Sequence, residues 1–304
     1  MCPQNDRKVE KKKRILFIIN PVSGIGRQHK IEDALPSLLD KTKYEHEIRY
    51  TEHVNHAKEI SAQGAKEGFD VIVAVGGDGT LGEVASGILH TNTAMAVIPA
   101  GSGNGMAREL GIPNNIEKAF DIINNGHIET IDTAILNGNT FVSTAGSGFD
   151  AHVANMFAQG EKRGFLRYVM VTAREFLRYP SRQYEVHVNG EVKNYFAWVF
   201  IFCNSKQFGN GAIVAPQASV KDGLLHITVI KDFPKYKTIL LVFRLFLNNI
   251  DKSRYAETFT CTRIKVIREK NNAIHLDGSP FKTTKDIEVE IVPASLKVIV
   301  NKPL

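Results

Sequence analysis

The sequence is poor in cysteine and has no long apolar run. Its 304 residues include three cysteines, Cys2, Cys203 and Cys261, at unrelated spacings. This spacing fits neither a disulfide framework nor a zinc site, which favours a reducing compartment. The longest apolar stretches, YFAWVFIFC and ILLVF, are far shorter than the roughly 20 residues of a membrane-spanning helix. Since no secretory signal pattern is visible, we expect a cytoplasmic protein with at most peripheral contact to the inner membrane surface.

The sequence also lacks a strong excess of charge. The formal net charge is +6, and charged residues make up 23% of the chain, which is ordinary for a globular protein. Part of the positive charge crowds the N-terminus at Lys8, Lys11, Lys12, Lys13 and Arg14. We interpret this cluster as a solvated tail; attraction to an anionic membrane or another polyanion is the alternative. No nucleic-acid partner is expected, and a homodimer is left open.

The first part of the chain alternates short apolar strands with helices. Strands are predicted at 15–19, 71–75 and 94–99, and helices at about 31–40, 55–67, 81–89, from 105 and at 116–124. Val- and Ile-rich runs separated by helical patterns indicate a parallel sheet covered on both faces. We therefore predict a three-layer α/β domain over residues 13–135.

From about residue 136 the pattern changes to closely spaced strands. Segments such as EVHVNG, LLHITVI and IEVEIV are separated by NG, KDG and LDG turns. Helical patterns interrupt them at about 163–178 and 235–250. This pattern predicts a β-rich second domain over residues 136–304.

Each predicted strand of the first domain ends in a glycine-rich loop. The loops are NPVSGIGR (20–27), GGDGT (76–80) and AGSGNG (100–105). Ligands of open parallel sheets bind at the carboxyl ends of the strands, where such loops expose backbone N–H groups beside helix N-termini. Together the three loops predict phosphate binding. A Walker motif is absent, and the G-x-G-x-x-A match at 146–151 lies outside the α/β part, which argues against dinucleotide binding there.

Asp78 stands among these glycines at the end of a predicted strand. A carboxylate beside phosphate oxygens is repelled unless it binds Mg²⁺ or accepts a proton from a nucleophile. We interpret Asp78 as functional, with turn formation as the alternative, and consider it too early in the chain to cap the following helix. Thr80 and Glu83 fit a capping box, so we predict that they cap that helix first and contact a ligand second.

Six motifs occur in a fixed order: NPVSG, GGDGTLGEV, PAGSGNGMAREL, GFDA, VKDGLLHITVI and HLDG. On these motifs the chain resembles the diacylglycerol kinase catalytic superfamily, which includes bacterial lipid kinases and sphingosine kinases, over nearly its whole length from about residue 13. The resemblance implies an N-terminal α/β nucleotide-binding domain, a C-terminal β-sandwich domain and an active site in the interdomain cleft. It also implies that residues 288–304 return toward the first domain.

The same resemblance implies ATP and Mg²⁺ as cofactors and phosphoryl transfer to the hydroxyl of a diacylglycerol-like or sphingoid lipid. The residues that it places in the nucleotide site are Asn20, Pro21, Val22, Ser23, Gly24, Thr51, Gly76, Gly77, Asp78, Gly79, Thr80, Leu81, Gly82 and Ser102. It also implies a magnesium site made by the Asp222 carboxylate and the carbonyls of Ser219 and Leu224. From the residues alone, KDG would be only a hairpin turn.

Two further carboxylates join Asp78 as candidate site residues. Asp78 is the candidate to orient or deprotonate the attacking hydroxyl, with help from Asp277. Asp150 in GFDA is a candidate contact for the acceptor lipid, and turn formation is an equal alternative.

Three positions depart from the family pattern. The family commonly has Asn at the position of Gly82, Asp at that of Gly105 and Glu at that of Ser279. The two glycines are expected to leave their loops more flexible and less charged. The alternatives to a lipid kinase are a kinase of a soluble acceptor such as NAD and, on account of Ser279, a nucleotide- or lipid-binding protein without catalysis.

A basic amphipathic segment at 162–178 raises the question of membrane contact. Such a helix can lie on an anionic bilayer. We prefer the interpretation that it is an ordinary surface helix packed on the second domain.

Overall fold

The computed structural model describes residues 11–23, 27–101, 103–158, 172, 174–176, 178–209 and 211–304. The predicted nucleotide contacts Gly24 and Ser102, the N-terminal Lys8 and most of the predicted helix at 163–178 lie outside the described residues.

The first domain is an α/β unit. In chain order its elements are β1 (Lys13–Ile19), α1 (Arg27–Leu38), β2 (Tyr44–Tyr50), α2 (His56–Lys66), β3 (Val71–Gly76), α3 (Asp78–Ile88), β4 (Ala94–Pro99), α4 (Gly105–Glu109) and α5 (Ile116–Asn125). The strands pair in parallel in the order β2-β1-β3-β4. Every residue of β3 and β4 is buried, as expected for strands covered on both faces. The predicted α/β architecture is confirmed.

The second domain is rich in strands. The elements that follow α5 are β5 (His127–Leu136), β6 (Asn139–Phe141), β7 (Thr144–Gly148), α6 (Phe149–Ala158), β8 (Arg182–Val188), β9 (Glu191–Cys203), β10 (Gln207–Gly209), β11 (Ala212–Ile213), β12 (Leu225–Lys231), α7 (Thr238–Phe246), β13 (Ala256–Cys261), β14 (Arg263–Arg268), β15 (Ile274–Leu276), β16 (Ser279–Phe281) and β17 (Asp286–Val300). Short 3₁₀ turns at Lys235–Lys237 and Ile250–Lys252 flank α7.

These strands form the predicted β-sandwich, and β9 contributes to both layers. Its first half pairs with β8, and its second half pairs with β7 and β12. One layer therefore runs β13-β12-β9-β7-β15-β16, and the other runs β9-β8-β14-β17-β5-β6. Alternate apolar side chains from the two layers, including Phe200 and Val266, make one core.

Two of the predicted turns join paired strands, and the third does not. Asn189-Gly190 and Asp277-Gly278 have positive φ at both residues and connect the β8–β9 and β15–β16 hairpins, as the primed turns require. Lys221–Gly223 instead lies in the loop before β12, which pairs with β9 and β13. The hairpin interpretation of KDG is therefore wrong.

Two long antiparallel strands, β5 and β17, run through both domains. Thr133–Leu136 pairs with Val289–Val292 in the sandwich, whereas His127–Ile131 pairs with Leu296–Val300 beside the first domain. There Val298 lies next to Met95 of β4 in parallel. The register shifts between the two halves, and Ala294 at the shift has a φ of 47°.

No helix among the described residues is long and apolar enough to cross a membrane.

Candidate active site

The second and third glycine loops pack backbone against backbone. A Cβ added to Gly101 would lie 2.5 Å from Gly77 Cα, and one added to Gly77 would lie 3.2 Å from Gly101 Cα. A Cβ on Gly76 would meet the Thr80 side chain at 2.5 Å. Side chains at these positions are thus excluded by contacts within the protein, quite apart from any ligand.

Asn20 joins the first loop to the second. Its Nδ2 donates a hydrogen bond to Thr80 Oγ1 (3.1 Å), and its Oδ1 accepts one from the Val22 N–H (3.1 Å). The Ser23 hydroxyl donates to the Asn20 carbonyl (2.8 Å). Thr51, at the end of β2, is buried and donates its N–H to the Ile19 carbonyl (3.0 Å). The first loop, β2 and the start of α3 therefore meet at one end of the parallel sheet.

The capping box predicted for Thr80 and Glu83 is wrong. Helix α3 begins at Asp78 with Gly77 as its N-cap residue, so Thr80 lies inside the first turn. The Glu83 carboxylate accepts hydrogen bonds from the N–H groups of Asn55 (3.0 Å) and Ala57 (3.2 Å). Glu83 thus caps the neighbouring helix α2, whose own N-cap residue makes no side-chain cap bond.

Asp78 is the first residue of α3 and is partly exposed at the mouth of the sheet. Its Oδ1 accepts a hydrogen bond from the Met106 N–H (3.1 Å), at the start of α4. Burial raises the pKa of Asp78, and the N–H groups of Met106, Gly105 and Asn104 oppose that shift. The carboxylate therefore caps α4, and the interpretation of Asp78 as a turn residue is wrong.

Asp277 approaches the same place from the second domain. Its carboxylate is buried and accepts hydrogen bonds from the N–H groups of Val142 (2.9 Å), Ser143 (2.8 Å) and Thr144 (3.1 Å). The pKa of Asp277 is raised to about 6; burial is the main cause, the nearby charge of Asp78 adds to the rise, and the three N–H groups oppose it. Two carboxylates with raised pKa values, one from each domain, thus lie close enough to interact electrostatically.

The two glycines that depart from the family pattern lie next to residues of the second domain. A Cβ on Gly82 would be 2.8 Å from Asp277 Oδ2, and one on Gly105 would be 3.4 Å from the Gly209 nitrogen. A Cβ on Gly79 would be 2.8 Å from Ser279 Oγ. Gly82 lies within α3 and Gly105 is the first residue of α4, so the expectation that these glycines belong to flexible loops is wrong.

Asp150 lies behind the Asp277 turn rather than at the surface. It is the second residue of α6, and its Oδ2 is 2.8 Å from Nε2 of the fully buried His275. His275 Nδ1 accepts a hydrogen bond from Gly278 N–H (3.4 Å), next to Asp277. Because Asp150 lies within a helix, the interpretation that it forms a turn is wrong. His275 was not predicted, although it is the first residue of the HLDG motif.

Asp132 lies where β5 and β17 pass from one domain to the other, and it holds the predicted magnesium loop at 219–224. Asp132 accepts hydrogen bonds from the N–H groups of Gly223 (2.8 Å) and Ala294 (2.8 Å). The Asp222 carboxylate accepts one from Leu224 N–H (3.0 Å) and lies 2.9 Å from His226 Nε2. Asp132 was not predicted, since nothing in the local sequence links it to the loop.

The structure thus brings most predicted site residues to one junction. Asn20, Thr80 and Asp78 surround the glycine loops, and Asp277 and Ser279 face them from β15–β16. Leu81 is buried in the core of the first domain, so only its backbone could contact a ligand. Val22, in the first glycine loop, is 70% exposed, so its side chain is accessible to solvent.

Comparisons with known proteins agree with this architecture. Residues 14–136 match the diacylglycerol kinase catalytic domain, and residues 143–300 match the YegS C-terminal NAD kinase beta sandwich-like domain. A diacylglycerol kinase of Bacillus subtilis is 28% identical over 88% of this chain and 89% of its own length.

Solved structures show the same fold. A putative diacylglycerol kinase from Bacillus anthracis has a TM-score of 0.80 at 23% identity, covering 96% of this chain and 98% of its own. An NAD kinase from Archaeoglobus fulgidus, solved in complex with ATP, has a TM-score of 0.52 at 16% identity, covering 95% of this chain and 94% of its own.

Proposed function

The chain belongs to the diacylglycerol kinase family, and from this membership we propose that it is an ATP-dependent lipid kinase. It transfers the γ-phosphoryl group of ATP to the hydroxyl of a diacylglycerol-like or sphingoid lipid. The observation that carries the proposal is the placement of Asp78. This carboxylate lies at the start of α3, among the glycine loops, and its charge acts on Asp277 of the other domain.

The glycine loops and the start of α3 are suited to a triphosphate. The first N–H groups of a helix have no partner within the helix, and the helix dipole favours negative charge there. Gly77 and Gly101 carry no side chain, and their close packing holds the second and third loops side by side at the end of the sheet. Phosphoryl transfer needs this kind of positioning and charge stabilisation more than covalent participation by the protein.

Asp78 is the group that we assign to the acceptor hydroxyl. An ordinary carboxylate is a weak base for an alcohol, so it takes the proton late, as the hydroxyl oxygen bonds to phosphorus. The raised pKa of Asp78 makes it a better proton acceptor than an unperturbed aspartate. The Asp277 carboxylate accepts hydrogen bonds from three backbone N–H groups. We assign it an electrostatic role, in which its negative charge acts on Asp78. Asp150 and His275 support the Asp277 turn from behind.

The 219–224 loop fits a Mg²⁺ ion by its chemistry. It offers hard oxygen donors, the Asp222 carboxylate and the carbonyls of Ser219 and Leu224, on one short loop. The Asp222 side chain is 28% exposed, and each of its oxygens has one neighbour and keeps a lone pair. Bound there, Mg²⁺ would supply positive charge and hold the loop in one conformation.

The proposal is tested by a radiolabelled-phosphate screen with purified protein, Mg²⁺ and ATP. The acceptors are detergent-dispersed diacylglycerol, monoacylglycerol, ceramide, sphingosine and dihydrosphingosine. We expect one of these lipids to be labelled and the Asp78→Asn variant to label none. Labelling of no lipid by the wild type would contradict the proposal.

Two observations favour other functions, and the same assay decides between them. The fold is shared with an NAD kinase, so NAD is added as a soluble acceptor; labelled NAD with unlabelled lipids would identify an NAD kinase activity.

Ser279 cannot accept a proton at neutral pH, which favours a binding protein without catalysis. In an active kinase, Ser279→Glu should change the rate less than about tenfold, or roughly 1.4 kcal/mol. A silent wild type and an active Ser279→Glu variant would identify a binding protein.

A further inference from the structure

Helix α7 exposes an unusual number of apolar side chains. Phe243 is 60% exposed and Leu247, just after the helix, is 66% exposed. We define the α7 apolar surface by these two residues and four neighbours: Ile239, Leu240, Val242, Phe243, Phe246 and Leu247. Single exposed apolar residues are normal, but a contiguous group of large ones marks an interaction surface.

The exposed surface does not arise from a loosely attached helix. Leu241 is buried and Leu245 partly buried, and both pack against the apolar cluster that contains Trp198 and Phe233. The inner face of α7 is therefore satisfied by the second domain. The six residues of the α7 apolar surface point away from that cluster and stay exposed within the described chain.

The segment that carries this surface has an excess of positive charge. Residues 231–254 contain six Lys or Arg and two Asp. Lys237 precedes α7 and Arg244 lies within it, while Lys235 lies over the Trp198 ring, 4.7 Å from its centroid. An apolar face rimmed by cations complements an anionic bilayer, whose headgroups attract Lys and Arg while its acyl region takes the apolar side chains. A second copy of this chain would instead oppose like charges.

The α7 apolar surface is linked to the candidate active site by one hairpin. Helix α7 contacts β11, β11 pairs with β10, and β10 contacts α4. The start of α4 donates the hydrogen bond to Asp78. A membrane bound at α7 therefore lies one β-hairpin away from the place where the acceptor hydroxyl would react.

We infer that the α7 apolar surface inserts into the interface of an anionic bilayer, with Lys237 and Arg244 at the headgroups. This rests on the proposed function, because a long-chain acceptor has to be taken from a membrane. The surface consists of residues other than the basic segment at 162–178, for which an ordinary surface helix is the preferred interpretation.

The test is vesicle flotation of the full chain without ATP. Vesicles of phosphatidylcholine with about one third phosphatidylglycerol are compared with pure phosphatidylcholine. We expect the wild type to float with the anionic vesicles and F243S/F246S/L247S to lose at least about tenfold in binding. K237Q/R244Q should lose about fivefold for each charge removed at low salt. V192S/F196S, which alters exposed apolar residues of β9, is the matched control and should bind like the wild type.

Three results would overturn the inference: a wild type that does not float, a triple variant that floats equally well, or a wild-type dimer that the triple variant converts to monomers in light scattering. Kinase assays keep the two proposals apart. The triple variant should phosphorylate detergent-dispersed lipid normally and vesicle lipid poorly. If the wild type phosphorylates neither detergent-dispersed nor vesicle lipid, the proposed kinase activity is contradicted. The flotation experiment still tests whether the α7 apolar surface binds a membrane.

Discussion

At the scale of single residues, Asp78 has two physical roles. It caps α4 through the Met106 N–H, and it presents a partly exposed carboxylate at the domain junction. Asn keeps the size and one acceptor oxygen of Asp, so it can preserve the cap, but it cannot accept a proton.

We therefore predict that Asp78→Asn abolishes turnover and leaves the fold intact. The measurements are initial rates of lipid phosphorylation and a thermal unfolding curve. Asp121→Asn, an exposed position on α5, is the control and should keep wild-type activity. A kcat near that of the wild type would remove Asp78 from the mechanism.

The pKa of Asp277 predicts a pH dependence. Burial raises it to about 6 in the folded protein, from an ordinary value near 3.8. The ionised form is the one that places negative charge beside Asp78, so kcat/KM should rise with pH through about 6 and then level off. Because the folded pKa is the higher one, ionisation disfavours the folded state, and the free energy of unfolding should fall as pH rises from about 4 to 6.

Both curves are measured on the wild type, by initial rates and by denaturant unfolding at each pH. Asp277→Asn, if it folds, should flatten the stability curve over this range. A wild-type rate that is constant between pH 5 and 7 would contradict the assignment.

At the scale of secondary-structure elements, helix α3 is fitted closely against the turn between β15 and β16. Gly82 leaves the space that the Asp277 carboxylate occupies, at 2.8 Å from the position of a Cβ. Overpacking of a well-packed contact costs about 1–3 kcal/mol.

We predict that Gly82→Ala destabilises the protein by about this amount and lowers activity, because Asp277 has to move. A double-mutant cycle with Asp277→Ala is the control, since the added methyl group should be tolerated once the carboxylate is gone. Additive effects of the two substitutions on the free energy of unfolding would show that they do not share this contact.

The 219–224 loop is the second element with a testable role. If Mg²⁺ binds at Asp222, removal of that carboxylate should weaken Mg²⁺ binding while ATP affinity stays unchanged. We predict that Asp222→Ala raises the Mg²⁺ concentration needed for half-maximal stabilisation in thermal melts and lowers activity. Lys221→Ala, beside it in the loop, is the control. Equal Mg²⁺ responses of Asp222→Ala and the wild type would mean that Asp222 only shapes the loop.

At the scale of the whole molecule, the two domains are joined by the continuous strands β5 and β17 rather than by a linker alone. Asp132 lies where both strands pass from one domain to the other. Its carboxylate accepts hydrogen bonds from the N–H groups of Gly223 and Ala294, which lie on two different segments. Its removal would leave two backbone donors without their partner.

We predict that Asp132→Ala lowers the free energy of unfolding by about 1–3 kcal/mol, since it removes the charged acceptor of two part-buried N–H groups. Asp132→Asn, which keeps one acceptor, should lose less. Asp33→Ala, at an exposed position of α1, should lose little. Denaturant unfolding measures all three, and an Asp132→Ala variant as stable as the Asp33→Ala control would contradict the role.

The helices and strands that the sequence predicts are those with strong local patterns. The buried runs of β1, β3 and β4 and the hairpins at Asn189-Gly190 and Asp277-Gly278 are where they were predicted. Strand β2 was not predicted, because YEHEIRY is mostly exposed and carries no apolar run. The apolar pattern of TILLVFRLF predicts a helix near α7 but has no polar face, so it cannot show which side stays exposed.

The sequence by itself determined the α/β and β-sandwich domains, the three glycine loops and the membership of the family, because apolar periodicity, turn residues and ordered motifs are local signals. Only the tertiary structure decided what each polar group contacts. Glu83 caps α2 instead of its own helix, and Asp277 binds N–H groups as far as 135 positions away in the chain. Hydrogen bonds and close approaches of this kind depend on how distant segments pack, and no local pattern carries that information.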